Sequence, residues 1–344
     1  MAKNLIIRFS AIGDVAMTIP VIYSVAKAYP EDSFTVLTQT FLMPLFINHP
    51  ANVSIMGINT NTTEKSFLGY MHYVMILKKY RFDRVIDLHC VIRSHIVRLL
   101  FSLWGKKVYR IDKRRDERKL LTVRPPKEIH QLRPVISSYA DVFEHAGYKY
   151  KATFVSLFDN YSIDDKSVMD MVGSKVGFWV GIAPFAKHQG KIYPLDKMEK
   201  VVETLSKQPG VRLFLFGGRG EENNVLSLWS DRYENVVNTI GLFSLDMELA
   251  LISRLDVLLS MDSANMHFAS LVGTKVISVW GATHPFAGFY GYNQPSDYAV
   301  QVMLPCRPCS IYGNKPCYRG DFACMTNIEP ETIVTKIRES LSVS

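Results

Sequence analysis

The chain has 344 residues, 48% of them hydrophobic and 21% charged, which is enough for about two ordinary globular domains. That composition excludes intrinsic disorder, a collagen-like repeat and a disulfide-stapled miniprotein. Forty Lys and Arg against 32 Asp and Glu leave a net charge of +8, which favours an anionic partner (phosphates, nucleic acid or an acidic membrane surface) without choosing among them.

In chain order, short apolar runs rich in β-branched residues alternate with longer segments of helical period. The first half predicts strands at 4–9, 34–37, 53–58, 84–88 and 108–111, with helices such as 15–28 and 91–104 between them. The rhythm breaks over 148–175, whose centre at 162–167 is rich in Asp, Ser and Lys, so a domain boundary falls there. The second half predicts strands at 178–182, 211–216, 256–260 and 275–279 and helices near 198–206, 222–229 and 245–254. The pattern implies an α/β protein of two doubly wound, Rossmann-like domains, 1–160 and 161–328, facing each other across a cleft. Residues 329–344 read as a C-terminal helix that could pack back on the first domain. The N-terminus lacks the apolar length and cleavage pattern of a secretory signal, and no run reaches the roughly 18 apolar residues of a membrane span. The expectation is a cytoplasmic protein, with room for peripheral contact at the inner face of a membrane.

The first strand-to-helix junction runs from Arg8 to Pro20 as RFSAIGDVAMTIP. Asp14 sits where the helix begins, either as an N-cap or as a carboxylate at a strand's carboxyl end, placed to take a proton. Gly13 would let a substrate approach the backbone. Neither the dinucleotide fingerprint nor the P-loop pattern occurs here, which weakens hydride transfer and P-loop phosphoryl transfer. A second segment, Met261 to Pro285, turns at Asp262 and Ser263 and opens a helix near Ala264; a helix start binds a diphosphate without a metal. His267 on its first turn could add a proton or positive charge, or be a plain helix-surface histidine. A third segment delivers Lys187, His188 and Lys191 after a strand, cations suited to an anionic leaving group or simply a solvated loop. After the strand at 211–216, GGRGEE provides a tight turn followed by acids that could hold ribose hydroxyls or simply open a surface helix; Phe243 lies in a later loop.

Arg8 to Pro20 resembles the N-terminal motif of the heptosyltransferase-like glycosyltransferases, the ninth glycosyltransferase family, whose Arg-x-Ser-x-x-Gly-Asp segment carries a catalytic Asp. Asp262, Ser263, Ala264 and His267 match that family's donor-diphosphate segment, and Gly281, Thr283 and Pro285 match the run that follows it. Lys191 precedes Tyr193 and Pro194 where the family has Trp-Pro. The resemblance implies a GT-B fold and an inverting, metal-independent transfer from a nucleotide sugar, ADP-heptose being the best-known donor, to a lipopolysaccharide inner core or related anionic glycolipid. It implies Asp14 as general base; Lys187, Lys191, Glu221, Phe243, Asp262, Ser263, Ala264 and His267 toward the donor; and Ser10, Gly13 and Arg93 toward the acceptor. Eleven Lys or Arg against four acids fill the stretch from Trp104 to Arg133. Arg114, Arg115 and Arg118 there are expected in the acceptor half, as phosphate-binding residues or as a solvated loop. No Asp-x-Asp pair occurs, and no cofactor is expected to be required.

Cys306, Cys309, Cys317 and Cys324 have spacing C-x2-C-x7-C-x6-C, compatible with a structural zinc ion, with reduced structural cysteines or with disulfides. Two other classes stay open: a nucleotide-sugar epimerase of the same build, which would convert donor without acceptor, and a nucleic-acid-binding protein. The chain has none of the usual nucleic-acid recognition modules, so no nucleic-acid partner is expected.

Overall fold

The computed structural model describes residues 1–62, 65–125, 127–159, 161 and 165–342; the central residues 162–164 of the expected linker lie outside these. The chain divides into two compact units, Met1–Lys113 with Val135–Tyr161, and Arg114–Pro134 with Ser162–Ser344.

The first unit holds β1 (Lys3–Ile7), β2 (Ser33–Gln39), β3 (Val53–Ile58), β4 (Arg84–Asp87) and β5 (Lys107–Arg110) in the order β3-β2-β1-β4-β5. Every pairing is parallel. Leu5, Ile6 and Ile7 on β1 are all fully buried, because crossover helices cover both faces of a parallel sheet and leave no polar side for alternation. The expected helix 15–28 is two helices, Ile12–Ala16 and Ile19–Ala28. Pro20, in the first turn of the second, has no N–H to continue the first.

The second unit holds β6 (Phe178–Ala183), β7 (Val211–Leu215), β8 (Val236–Asn238), β9 (Val257–Met261), β10 (Val276–Val279) and β11 (Ala299–Val300), ordered β11-β10-β9-β6-β7-β8. These pairings are parallel too. The edge strands β8 and β11, of three and two residues, are too short to show a period and were not predicted. The C-terminal helix Pro330–Ser342 packs on β9 and on the helix Leu195–Ser206 of this same unit, burying Ile333, Val334 and Ile337. Each such burial is worth about 1.5–3 kcal/mol.

The segment Arg114–Pro134, expected in the first domain, belongs to the second unit. Leu121 and Leu132 pack against Ala287, the Leu132 N–H donates to the Phe286 carbonyl at 2.8 Å, and the Lys127 ammonium donates to the carbonyls of Cys306 (3.1 Å) and Pro308 (2.5 Å). No described helix is long and apolar enough to cross a membrane.

Candidate active site

Both sheets reverse their strand order once, in the first between β1 and β4 and in the second between β6 and β9. Chain segments leaving neighbouring strands there diverge to opposite faces and open a crevice at the carboxyl ends, the usual ligand position in such sheets. Each reversal carries a charged pair.

At the first, Arg8 leaves β1 and is buried. Its Nη1 donates to the Leu88 carbonyl at 2.7 Å, its Nη2 lies 2.9 Å from Asp14 Oδ2, and its guanidinium carbon is 5.7 Å from the centre of the Tyr139 ring. Burial opposes the charge on Arg8, but Tyr139 and Asp14 outweigh it and hold the guanidinium above its ordinary range. Asp14 lies in the first turn of the helix Ile12–Ala16, whose N-cap is Ala11, so the N-cap reading is corrected. Its Oδ2 also accepts the Ala11 N–H at 3.3 Å. Both contacts fall on Oδ2, and Oδ1 has no hydrogen-bond or ion-pair partner among the described residues. The side chain is 23% exposed. The carboxylate is thus held by one oxygen, with lone pairs of the other available for a proton.

Behind it, the loop after β4 is fixed by Asp87, which is fully buried. Asp87 Oδ1 accepts the N–H groups of His89 (2.9 Å) and Cys90 (2.8 Å), and Oδ2 lies 2.9 Å from Arg98 Nε. His89 Nδ1 accepts the Phe9 N–H at 3.3 Å. Burial, with Arg8 and Lys113 nearby, pulls His89 down to about 3, so the ring is neutral at pH 7. Arg93 donates to the Thr60 carbonyl at 3.3 Å. Ser10 and Gly13 flank Asp14, both half-buried, and Gly13 has no positive φ, so its backbone does not demand glycine.

At the second reversal, Lys191 Nζ lies 2.9 Å from Asp262 Oδ2, with side chains 17% and 6% exposed. Ser263 is the extended N-cap of the helix Ala264–Val272 and makes no side-chain cap hydrogen bond; Asp262 is spent on Lys191. The first-turn N–H groups are therefore left for another acceptor. His267 is buried within this helix, not on its surface. Lys187 is exposed and His188 half-buried; burial together with Lys187 and Lys191 lowers the His188 pKa.

The loops after β6 and β10 meet backbone to backbone. The Ala282 N–H donates to the Gly190 carbonyl at 2.8 Å, and a Cβ on Gly281 would lie 2.7 Å from that same oxygen, so only glycine fits. Arg307, fully buried, gathers the carbonyls of Trp280 (3.1 Å), Gly281 (2.6 Å) and Thr283 (3.0 Å) and is lowered to about 10 by burial. At the end of β7 the Gly218 N–H donates to Glu222 at 2.6 Å. Glu222 therefore closes the glycine turn while Glu221 stays exposed, and Phe243 is half-buried in its loop.

Arg114, Arg115 and Arg118 fall in the second unit and not the first. Arg118 Nη1 lies 3.4 Å from the Tyr312 hydroxyl and its guanidinium 4.9 Å from the Phe289 ring centre; Arg114 is 3.7 Å from Glu117; Arg115 is exposed. Cys306, Cys309, Cys317 and Cys324 line one cavity beside Arg307 as free thiols. Burial pushes Cys309 up and Cys324 to about 11. Among the described residues no group of three or more His, Cys, Asp or Glu is arranged to hold a metal ion.

Sequence reasoning passed over Arg8, Asp87, His89 and Arg307. Arg8 opens the quoted motif, so its charge could have been paired with Asp14. Arg307 lies between two cysteines that drew the attention instead.

Residues 73–316 match the family model of glycosyltransferase family 9 (heptosyltransferase). The chain is 21% identical over 352 residues to lipopolysaccharide heptosyltransferase 1 of Campylobacter coli, covering 98% of each. Among solved structures it is similar to a glycosyl transferase family 9 protein from Veillonella parvula (TM-score 0.75, 16% identity, 100% of this chain and 98% of that one). It is also similar to E. coli ADP-heptose lps heptosyltransferase II (TM-score 0.70, 17% identity, 99% of each chain). The two parallel sheets are those of the GT-B fold. A family match over most of the chain, on a fold with a charged pair at each strand-order reversal, makes this protein a member of glycosyltransferase family 9, the heptosyltransferases.

Proposed function

We propose that the protein transfers heptose from ADP-heptose to the inner core of lipopolysaccharide, or a related anionic glycolipid, with inversion at the anomeric carbon and without a metal ion. The observation that carries this reading is the matched pair of charged sites, Arg8 with Asp14 and Lys191 with Asp262, one at each strand-order reversal. Asp14 Oδ1 takes the proton of an acceptor hydroxyl as that oxygen forms its bond to the anomeric carbon. The bond from that carbon to the diphosphate oxygen breaks in the same displacement. The leaving charge goes to Lys191 Nζ and to the first-turn N–H groups after Ser263, fixed donors that need no reorganisation when charge develops. Arg8 holds Asp14 in place through its Oδ2, and Glu221 and Phe243 are the residues offered to the nucleoside. Supporting the donor and acceptor assignment are the relatives' own names, a lipopolysaccharide heptosyltransferase and an ADP-heptose lps heptosyltransferase.

The test is an ADP-release assay on the full chain with ADP-heptose, with and without inner-core acceptor, in the presence of EDTA. Acceptor-dependent ADP release, unaffected by chelation, with product of the opposite anomeric configuration, is the expected result. Donor converted in the absence of acceptor would replace transfer by epimerisation, and retained configuration or loss of turnover with EDTA that Mg²⁺ restores would overturn the mechanism.

A further inference from the structure

The helices Phe67–Lys79 and Ile92–Leu103 of the first unit both bury one face in the same core, through Tyr70, Val74 and Leu77 from one and Val97 and Phe101 from the other. They are tied near both ends: the Tyr70 hydroxyl donates to the Arg93 carbonyl at 2.6 Å, and the Lys78 ammonium lies 4.5 Å from the Trp104 ring centre. They therefore lie side by side, with their outward faces adjacent. On those faces stand large apolar side chains: Leu68 (81% exposed) and Met75 on one helix, Ile92 (83%), Leu99 and Leu103 (73%) on the other. The spacings i, i+7 and i, i+7, i+11 make each set a stripe. Residues 65–113 also carry eleven Lys or Arg and three Asp, 11 − 3 = +8, equal to the net charge of the whole chain. Of the three acids Asp87 is buried and Asp83 lies 4.0 Å from Lys106.

We infer that this two-helix face is a docking surface for an anionic lipid bilayer. Apolar stripes edged by Lys and Arg suit the headgroup boundary, where acyl chains receive the apolar side chains and anionic headgroups the cations. A second copy of this chain does not suit it, because a two-fold contact would bring one strongly basic segment against another. The inference goes beyond the transfer reading and does not depend on it, since it concerns a surface that neither substrate need touch.

Co-sedimentation of the full chain with vesicles tests it in the absence of donor and acceptor. Vesicles of phosphatidylcholine with about 30 mol% phosphatidylglycerol bind the chain, pure phosphatidylcholine vesicles do not, and added salt weakens the binding. The exposed-residue variant Ile92→Ser/Leu99→Ser/Leu103→Ser lowers the partition coefficient by at least about tenfold, and Lys106→Glu/Lys107→Glu lowers it too; circular dichroism checks that both are folded. No binding to anionic vesicles, or binding that both folded variants retain in full, overturns the proposal. Self-association of the wild type in sedimentation velocity that the triple variant abolishes overturns it in favour of a second copy. Because no turnover is read, failure here leaves the transfer reading standing, and failure of transfer leaves this one.

Discussion

Asp14→Asn separates a catalytic from a structural role for this carboxylate. The substitution keeps the shape and an acceptor oxygen toward Arg8 but removes the charge, leaving a guanidinium with an 8% exposed side chain without its ion-pair partner. A hydrogen bond to a charged group is worth about 1.5–3 kcal/mol. The partial exposure of Asp14 at 23% puts this one toward the lower end. At about 2–4 °C per kcal/mol the melting temperature should fall by about 3–9 °C. Losing a general base costs about 10²–10⁴ in rate, or about 3–6 kcal/mol of barrier. A protein of ordinary stability, about 5–15 kcal/mol, stays almost wholly folded after a loss of 1.5–3, so unfolding cannot account for the rate. The assay is turnover with saturating ADP-heptose and acceptor at 25 °C, alongside thermal melts of Asp14→Asn, Arg8→Met and the double variant. The double variant should regain most of the lost melting temperature, since the orphaned cation is gone, and none of the lost turnover. Near wild-type turnover in Asp14→Asn, or turnover recovered in the double variant, would remove Asp14 from the role of base.

Two further outcomes follow from the same geometry. Lys191→Met removes the cation that the proposed mechanism offers to the diphosphate, so affinity for ADP by titration calorimetry should fall by about tenfold to a hundredfold; unchanged affinity would mean that Asp262 alone occupies the lysine. His89 has a folded-state pKa of about 3 against an ordinary 6.5, so between those values the unfolded chain binds the extra proton. Its contribution to stability is therefore complete above pH 6.5 and is lost as the pH falls toward 3. His89→Asn, which can still accept the Phe9 N–H, should flatten the rise of stability from pH 4 to 6.5 in urea titrations, and an unchanged slope would show that the ring is not held neutral.

Much of the fold was legible because its signals are local. Apolar runs such as LII at 5–7 and LFLF at 213–216 need only a buried parallel sheet to explain them, and the helix 245–254 was expected at its observed bounds. Signals failed where a few residues carry the structure. Pro20 divides a helix whose hydrophobic pattern runs straight through, and β11, at two residues, exists only because β10 offers it an edge. By its charge alone the basic run after Trp104 reads as acceptor-facing or as a solvated loop, in either case in the first half. Leu121 and Leu132, two apolar residues within that run, instead pack it onto the second unit.

Read alone, the sequence was sufficient for the two α/β halves, the approximate positions of their strands and the turn residues Asp14, Lys191, Asp262 and Ser263, because period, turn chemistry and motif order are written within short windows. Tertiary structure decided what those residues are paired with. Arg8 reaches Leu88 across 80 positions and Lys191 meets Asp262 across 71, both because a strand-order reversal sets β1 beside β4 and β6 beside β9. A pairing made by folding distant segments together leaves no period or spacing in the chain. So the open oxygen of Asp14, the uncapped helix start and the packing of 114–134 had to wait for the fold.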